Sequence, residues 1–313
     1  MWHRILIALG AGLAAGVLFI LPSNGLMAGV WLSVIAPMPL MIVVMGQGLL
    51  AGLGAAVAGA LICAVMKPAL SPVFLVSSAA PALFLAWLCV HVFSNGRRLT
   101  PGQLLAAVAS IAILAVWGMV AFVAASYGGL DEALGEIASG VTEALRNMKG
   151  MEDGAGGVPL ADFVQVLVVS MPAVMAFWSV LALSANLWLA ARVTLISGQL
   201  SQAWPDLPTS LALPRSALVA FAIATLACAL PGPARVLASS AAVGLGVAFA
   251  LQGLAAVHRL TRGRAGRPGL LSLLYTLIFF LFPLPLFVAA GVGVADNVKP
   301  LRRSLPKPTS TNP

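Results

Sequence analysis

The sequence predicts an all-α, polytopic membrane protein, a transmembrane helix bundle of about 8 to 9 spans. Of its 313 residues, 61% are hydrophobic and only 8% are charged, whereas soluble domains carry about 25% charged residues. Mean hydropathy is +1.04. Apolar runs long enough to cross a hydrocarbon core of about 30 Å recur along the chain. Together these observations indicate that lipid is the main solvent.

Turn residues between the apolar runs divide residues 1–298 into spans of a single transmembrane domain. Thr100 followed by Pro101 is typical of a helix start. The sixth run is longer than a bilayer requires, so we expect its end to extend into the cytoplasm. The predicted spans lie near residues 4–21, 26–45, 48–66, 73–94, 102–126, 160–191, 215–230, 234–257 and 269–295.

A Pro-x-Pro motif interrupts two of these spans. Pro37 and Pro39 lie in the second span, and Pro283 and Pro285 lie in the last. Proline lacks the N–H group that a helix interior needs, so it breaks or kinks a helix. Two structures for the last segment stay open. It is one kinked helix that crosses the membrane, or a re-entrant hairpin whose arms, at about 20 Å, are too short to cross.

The Lys and Arg residues of the loops predict a cytoplasmic N-terminus. Arginine outnumbers lysine, which fits a GC-rich bacterial genome, so we expect a bacterial inner-membrane protein. This orientation places most basic loops inside, as the positive-inside rule requires. The basic tail, 299–313, is predicted to be flexible. If the last segment is re-entrant, the tail lies in the cytoplasm with the other basic residues. If the segment crosses the membrane once, the tail lies outside the cell membrane, against the positive-inside rule.

Residues 128–158 form a predicted extracytoplasmic segment that is rich in acidic residues. Apolar side chains recur every three or four residues between positions 130 and 148, which predicts an amphipathic helix. Such a helix is either a lid over an outward-facing cavity or a connection that rests on the bundle.

Uncharged polar residues within the spans are candidates for a binding site. Broken helices expose backbone groups that must face protein or water, and they mark midplane binding sites in transporters. The polar residues are Gln47, Ser77, Ser78, Ser170, Ser179, Asn186, Thr225, Gln252 and Tyr275. The predicted ligand-binding residues are Pro37, Pro39, Gln47, Asn186, Gln252, Pro283 and Pro285. The three amides lie toward the cytoplasm on this topology, which argues against a site open to the outside.

Two surfaces are candidates for partner contacts. Small residues at four-residue spacing let helices approach closely, either within a bundle or against a partner subunit. The predicted partner face of the first span is Ala8, Ala11, Gly12, Ala15 and Gly16. A basic patch, Arg259, Arg262, Arg264 and Arg267, would bind anionic lipid or an acidic partner, or simply anchor its loop inside.

Motifs for catalysis are missing from the sequence. It has no phosphate-binding loop, metal-ligand cluster or hydrolase motif. No acidic residue falls near the middle of a predicted span, where an ion-driven carrier usually needs one. We therefore predict no enzymatic activity, no cofactor or metal, and no nucleic-acid partner.

Several short motifs resemble a known family. They are "APMPL" in the second span, Ala185-Asn186, Leu213 to Arg215, Leu251 to Gly253 and the terminal "ADNVKPLRR". With the nine-segment layout, the chain resembles the YybS-like bacterial membrane proteins, whose function is uncharacterised. That family is distantly similar to the S components of energy-coupling-factor transporters and to the cell-shape protein MreD. In S components, a first-helix Ala-x-x-x-Ala face docks on the coupling subunit. Ala11 and Ala15 match it here, although an S component has six segments.

Two functions follow from these observations. The first is a small-molecule transporter subunit or substrate-binding membrane component that lacks its own energy-coupling site and has ATPase and coupling subunits as partners. The second is a non-catalytic scaffold or assembly factor for cell-envelope machinery, with envelope proteins as partners. Membrane lipids are partners in both.

Overall fold

In the computed structural model, every regular element among the described residues is a helix. The structure describes residues 2–25, 27–94, 99–147, 159–200 and 206–299. The helices are α1 (Trp2–Ile20), α2 (Met27–Ser33), α3 (Pro37–Gln47), α4 (Leu49–Met66), α5 (Leu70–Phe74), α6 (Ala80–Ser94), α7 (Pro101–Tyr127), α8 (Leu130–Arg146), α9 (Leu160–Ile196), α10 (Leu207–Ser210), α11 (Arg215–Ala227), α12 (Pro233–Leu260), α13 (Arg267–Phe280) and α14 (Leu284–Val298). A 3-10 turn (Leu21–Asn24) follows α1, and a π-helical turn (Leu75–Ala79) joins α5 to α6.

Within this described part, seven helical segments are long and apolar enough to cross a membrane. They are Trp2–Asn24, Ala28–Gln47, Leu49–Met66, Leu70–Val90, Pro101–Tyr127, Leu160–Ile196 and Pro233–Leu260. The shorter apolar helices α11, α13 and α14 correspond to the predicted spans near 215–230 and 269–295. The predicted all-α membrane bundle is confirmed. The predicted tail lies outside the described residues, apart from Lys299.

The start of α7 shows how local sequence sets a helix boundary. Oγ1 of Thr100 accepts a hydrogen bond from the backbone N–H of Gln103 at 3.2 Å, and the backbone N–H of Thr100 donates to Oε1 of Gln103 at 2.9 Å. This reciprocal pair satisfies two donors that a helix start leaves unpaired. Pro101 follows at the first helical position, where its missing N–H costs nothing.

Helices α1 and α4 run parallel in direct backbone contact. A methyl group on Gly12 would overlap the carbonyl oxygen of Ala55, and one on Gly16 would lie 2.7 Å from the carbonyl oxygen of Gly59. Each contact advances by four residues in the same direction along both helices, which fixes their parallel arrangement. The N-terminus of α1 therefore lies at the end of the bundle where α4 begins.

The arginine-rich turn after α12 marks one end of the bundle, which we call the basic end. The backbone N–H of Leu213, just before α11, donates to Oε1 of Gln252 near the end of α12 at 2.9 Å. Helix α7 also begins there, because Gly102 packs against the carbonyl group of Ala212. Since α11 starts at the basic end and α12 starts at the opposite end, α11 and the turn after it connect the two ends.

Helices α12 and α14 also run parallel with touching backbones. A methyl group on Gly253 would overlap the carbonyl oxygen of Ala289, and one on Gly293 would overlap that of Phe249. The two contacts are again four residues apart in the same direction. Small residues at this spacing permit the close approach that stabilises helix pairs in lipid.

Helices α13 and α14 form a hairpin on the side of the bundle that begins and ends at the basic end, and only α14 has buried residues. Nε2 of His258 lies 2.8 Å from the hydroxyl of Tyr275 on α13, and Arg259 pairs with Asp296 on α14 at 2.9 Å. The turn between the arms lies deeper, where the ring of Phe282 packs against that of Phe177 on α9, with centroids 5.6 Å apart.

The attachment of both arms to α12 decides between the two structures left open for this segment. The arms have 14 and 15 residues, about 20 Å each at 1.5 Å per residue, less than a bilayer core. Both arms are attached to the last turns of α12. The structure therefore has the re-entrant hairpin, and Val298 leaves the bundle at the basic end.

Helix α8 lies at the opposite end, against the first turns of α9. Its apolar stripe, including Leu134 and Val141, packs on Leu160, Val164 and Val168. The first turns of the 37-residue α9 thus carry α8, and the extension of its other end into the cytoplasm stays a prediction. The remaining part of the predicted segment, 148–158, lies outside the described residues.

Candidate functional site

The second span is broken at its Pro-x-Pro motif. Helix α2 ends at Ser33, and α3 begins at Pro37. Backbone hydrogen bonds between residues three apart replace the α-helical pattern here. The N–H of Ala36 donates to the carbonyl of Ser33, and the N–H of Met38 donates to the carbonyl of Ile35, both at 3.1 Å. The carbonyl of the intervening Val34 therefore has no backbone partner in the helix.

Asn186 of α9 satisfies this carbonyl. Its Nδ2 donates to the carbonyl oxygens of Val34 and Ala182, each at 2.7 Å. The side chain is only 1% exposed, and its Oδ1 has no hydrogen-bond partner among the described residues. A long-range side-chain bond thus supports the break in α2–α3.

An open cavity of about 300 Å³ lies beside the break, between α1, the α2–α3 span, the π-helical turn and α9. Its polar side chains are Ser33, Ser77, Ser78 and Ser179, and Pro37 also lines it. Phe19, Met175 and Trp178 contribute to its apolar walls, and none of its lining residues is charged. Small-molecule sites have this character: mostly apolar walls with a few polar groups.

The π-helical turn presents two adjacent serines to the cavity. The hydroxyl of Ser77 donates to the carbonyl of Val73 at 2.7 Å. The hydroxyl of Ser78 is buried, at 3% exposure of its residue, and has no hydrogen-bond partner among the described residues. Single π-helical turns are frequent at functional sites, and an unsatisfied buried hydroxyl is costly. These features make the cavity the candidate functional site.

The structure brings together only part of the predicted ligand-binding set. Pro37 lines the cavity, and Asn186 supports the break next to it. Pro39 and Gln47 lie farther along α3. Pro283 and Pro285 are at the hairpin turn, and Gln252 is buried on α12 at the basic end. Ligand binding by these residues stays a prediction.

A buried polar cluster holds the hairpin at the basic end. Nη2 of Arg259 donates to Oδ1 of Asp296 at 2.9 Å, and both side chains are almost inaccessible to solvent. Nη1 of Arg259 donates to the carbonyl of Pro208 at 3.2 Å, and Nε2 of Gln252 donates to Oδ2 of Asp296 at 3.2 Å. Because these groups bind one another, we interpret the cluster as a clamp between α10, α12 and α14.

The same clamp includes the backbone of Leu213. Its N–H donates to Gln252 on α12, and its carbonyl accepts a bond from Nδ2 of Asn297 on α14 at 2.8 Å. The segment before α11 is therefore attached to two helices at once.

The predicted basic patch does not lie on one surface. Arg259 is 4% exposed inside the clamp, whereas Arg262 and Arg264 are exposed and Arg267 is partly exposed. Arg262 forms two hydrogen bonds to Asp206, at 2.8 and 2.7 Å. Hydrogen bonds from Arg262 and then from Thr209 lower the pKa of Asp206. Lipid or partner binding by these arginines stays a prediction.

The predicted partner face of α1 is occupied by α4. Ala8, Gly12, Ala15 and Gly16 are buried, and Ala11 is partly buried. Their small size serves the contact between α1 and α4 in this structure. Docking of a partner subunit on this face stays a prediction.

The sequence analysis noted Ser77, Ser78 and Ser179 but did not assign them to the predicted site. Two adjacent serines within an apolar span were the available signal. Asp296 was also not assigned a role, because its partner Arg259 lies 37 residues earlier in the chain.

Comparisons with known proteins bear on the identity of the chain. No curated protein and no solved structure matches it. The family described as "Predicted membrane protein (DUF2232)" matches residues 14–297, nearly the whole length. A multi-pass membrane protein is what the fold independently indicates. The chain therefore belongs to the DUF2232 family of predicted membrane proteins.

Proposed function

We propose that this protein is a small-molecule-binding component of a bacterial membrane transport system. The observation that carries the proposal is the cavity of about 300 Å³ at the break between α2 and α3. Its volume is at the lower end of the range for small-molecule pockets. Broken spans mark the binding sites of many transporters, because backbone at that depth must face protein or a cavity.

Energy for transport comes from a partner in this proposal. The sequence has no phosphate-binding loop. The buried ion pair of Arg259 and Asp296 is part of the clamp rather than the cavity. The resemblance to S components of energy-coupling-factor transporters supports an ATPase and coupling subunit as partners. We infer no catalytic role.

We further propose that the basic end faces the cytoplasm of a bacterial inner membrane, with both termini there. The positive-inside rule supports this orientation. A methyl group on Gly46, at the end of α3, would overlap the side chain of Gln199 just after α9, so α4 begins at the end of the bundle opposite α8. The N-terminus of α1 lies at that same end, and the hairpin brings Val298 there too. Green fluorescent protein fused to either terminus should fluoresce, since it matures only in the cytoplasm. Alkaline phosphatase inserted between α8 and α9 should be active. A C-terminal fusion that is dark but active with phosphatase would contradict the shared side.

The binding proposal is tested by purifying the protein from native membranes and identifying retained small molecules by mass spectrometry. Ser179→Leu places an apolar side chain in the cavity and should deplete any compound bound there. Ser170→Leu is the matched control, because Ser170 lies on the same helix but is exposed and outside the cavity. If wild type and Ser179→Leu retain the same compounds, the proposal is wrong.

A scaffold for cell-envelope machinery is the second candidate, and the basic end favours it. Arg264 is exposed there, and Arg262 is exposed although it pairs with Asp206; both lie next to α13, which has no buried residue. An acidic partner could bind these groups electrostatically. Recovery of envelope-synthesis proteins without any retained small molecule would support this function over transport. Replacing Arg262, Arg264 and Arg267 with glutamine should then weaken recovery without unfolding the bundle.

A further inference from the structure

We propose that the turn between α12 and α13 binds the phosphate of a phospholipid with a net negative charge, and that the acyl chains of this lipid lie along the exposed face of α13. The inference goes beyond the proposed function, because neither the cavity nor its ligand takes part. Three features carry it: two accessible arginines, an open turn with free backbone donors, and an apolar helix face that begins at one of these arginines.

Two of the four arginines in this region are available to bind an anion. Arg259 is buried in the clamp, and Arg262 is paired with Asp206. Arg264 is exposed and Arg267 is partly exposed, and neither forms an ion pair within the described part of the chain. The backbone N–H of Arg267 donates to the carbonyl of Arg264 at 3.1 Å, so a tight turn brings the two residues together. The Nε of Arg267 is inaccessible, so its terminal nitrogens are the atoms that can reach a phosphate.

The acidic residues described at the basic end do not compete for these two arginines. Asp206 and Asp296 are both already paired with other arginines. Arginine binds phosphate through parallel hydrogen bonds from its planar guanidinium group. Basic residues at a membrane surface also attract anionic lipid. The unneutralised positive charge therefore favours a ligand with a net negative charge.

The backbone of the turn adds hydrogen-bond donors in open space. The N–H groups of Ala265, Gly266 and Gly269 donate no backbone hydrogen bond within the described residues. A methyl group on Gly266 or Gly269 would meet nothing within 4 Å, so a phosphate oxygen has room to approach there. Successive backbone N–H groups in turns are common anion ligands. Side chains and backbone thus offer the same kind of contact.

Helix α13 presents an apolar face that begins at the turn. Leu270, Leu273, Leu277 and Phe280 are exposed and follow Arg267 at steps of three or four residues. No residue of α13 is buried. From its first leucine to its phenylalanine this face is about 15 Å long, which is the depth of one leaflet of a hydrocarbon core of about 30 Å. Acyl chains of the leaflet at the basic end therefore match its length.

The attachment of α13 to α12 keeps this face toward lipid. Nε2 of His258 lies 2.8 Å from the hydroxyl of Tyr275. With about 3.6 residues per turn, Tyr275 and Leu277 lie on opposite sides of α13. Helix α12 therefore occupies one side and leaves the leucines on the other. A phospholipid fits this surface better than an acidic protein does, because it supplies both the phosphate and apolar chains of leaflet depth.

Thermal unfolding of the purified, delipidated protein in a neutral detergent measures the binding. Dioleoylphosphatidylglycerol should raise the melting temperature in a saturable manner. Dioleoylphosphatidylcholine has the same chains but no net charge, and it should raise the melting temperature much less. In Arg264→Gln/Arg267→Gln, the apparent affinity for the anionic lipid should fall about thirtyfold, the effect of losing two arginine–phosphate contacts.

Two sets of variants control for charge and for folding. Arg4→Gln/Arg215→Gln removes two exposed arginines from the same end of the bundle and changes the net charge equally, so it should bind like wild type. Gly266→Glu places a carboxylate in the open turn and should weaken binding as strongly as the loss of both arginines. Gly266→Gln has the same size without the charge and should have a much smaller effect. This glycine pair tests the site even if the arginine variant does not fold.

Four outcomes would overturn the inference. Equal weakening in the two arginine pairs would show that only the overall surface charge attracts the lipid. Equal effects of Gly266→Glu and Gly266→Gln would show that no anion lies at the turn. Inorganic phosphate that stabilises the protein as well as the anionic lipid would make the ligand a free ion. Stabilisation by polyglutamate but not by the anionic lipid would assign the turn to an acidic protein partner.

Discussion

Gly253 of α12 and Gly293 of α14 lie where two parallel helices touch backbone to backbone. A methyl group on either residue would overlap a carbonyl oxygen of the other helix. This contact attaches α14 to α12, a helix with many buried residues. Small residues allow such packing in lipid, where no hydrophobic force acts between helices.

Gly293→Ala should destabilise the protein by about 1 to 3 kcal/mol, because the new methyl group forces the helices apart. The free energy of unfolding in detergent would measure this. Gly291→Ala is the matched control on the same helix, since a side chain there meets nothing within 4 Å. That variant should be neutral or more stable by up to about 1 kcal/mol. Equal effects of both substitutions would contradict the observed packing.

Asp296→Asn should destabilise the protein by about 3 to 5 kcal/mol, because it leaves the buried charge of Arg259 without its partner. Unfolding in detergent would again measure the loss. The double variant Arg259→Met/Asp296→Leu should recover much of it, since no unpaired charge remains. Arg264→Gln removes an exposed arginine from the turn after α12 and should have no resolvable effect at neutral pH. An Asp296→Asn protein as stable as wild type would show that the clamp is unimportant.

Asn186→Ala should cost about 1 to 3 kcal/mol, because the buried carbonyl of Val34 loses its hydrogen bond. Thermal unfolding would detect this change, and the variant should also retain less of any compound bound in the cavity. Ser170→Ala is the control, because its exposed hydroxyl bonds only within its own helix. Wild-type stability in Asn186→Ala would mean that the break needs no support from α9.

Asp206→Asn should reduce stability at neutral pH but not at low pH. Hydrogen bonds from Arg262 and Thr209 lower the pKa of Asp206 in the folded protein. The ionised carboxylate therefore stabilises the fold fully above its ordinary pKa of about 3.9, and this contribution is lost as the pH falls through the lowered value. The difference in melting temperature between wild type and variant should shrink below about pH 4. In an Arg262→Gln background, most of this difference should disappear at every pH.

Much of the fold could be predicted because its signals are local. Apolar runs set the long helices, and Pro37 and Pro39 predict the break between α2 and α3, since proline lacks an N–H wherever it lies. The hairpin could not be decided in this way. Its depth depends on contacts between α12 and α14, such as that of Gly253 with Ala289, and these are not local.

The candidate site was only partly predictable for the same reason. Pro37 and Asn186 stood out as a helix breaker and as an amide in an apolar span. The role of Ser78 depends on the π-helical turn, which has no clear sequence signal, and on the packing of four segments around it. The pairing of Arg259 with Asp296 depends on the path of the hairpin. The sequence alone therefore did not distinguish the buried Arg259 from the exposed arginines that follow it.

The re-entrant course of the last segment also has a consequence for biogenesis. Residues after Val298 include the basic run "KPLRR", and moving such charges across a hydrocarbon core is expensive. Because α14 returns to the basic end, on the proposed orientation these residues stay on the side where the ribosome makes them. Insertion of the hairpin then requires no translocation of these charges. It can follow the folding of α12, because α14 packs against α12 at Gly253.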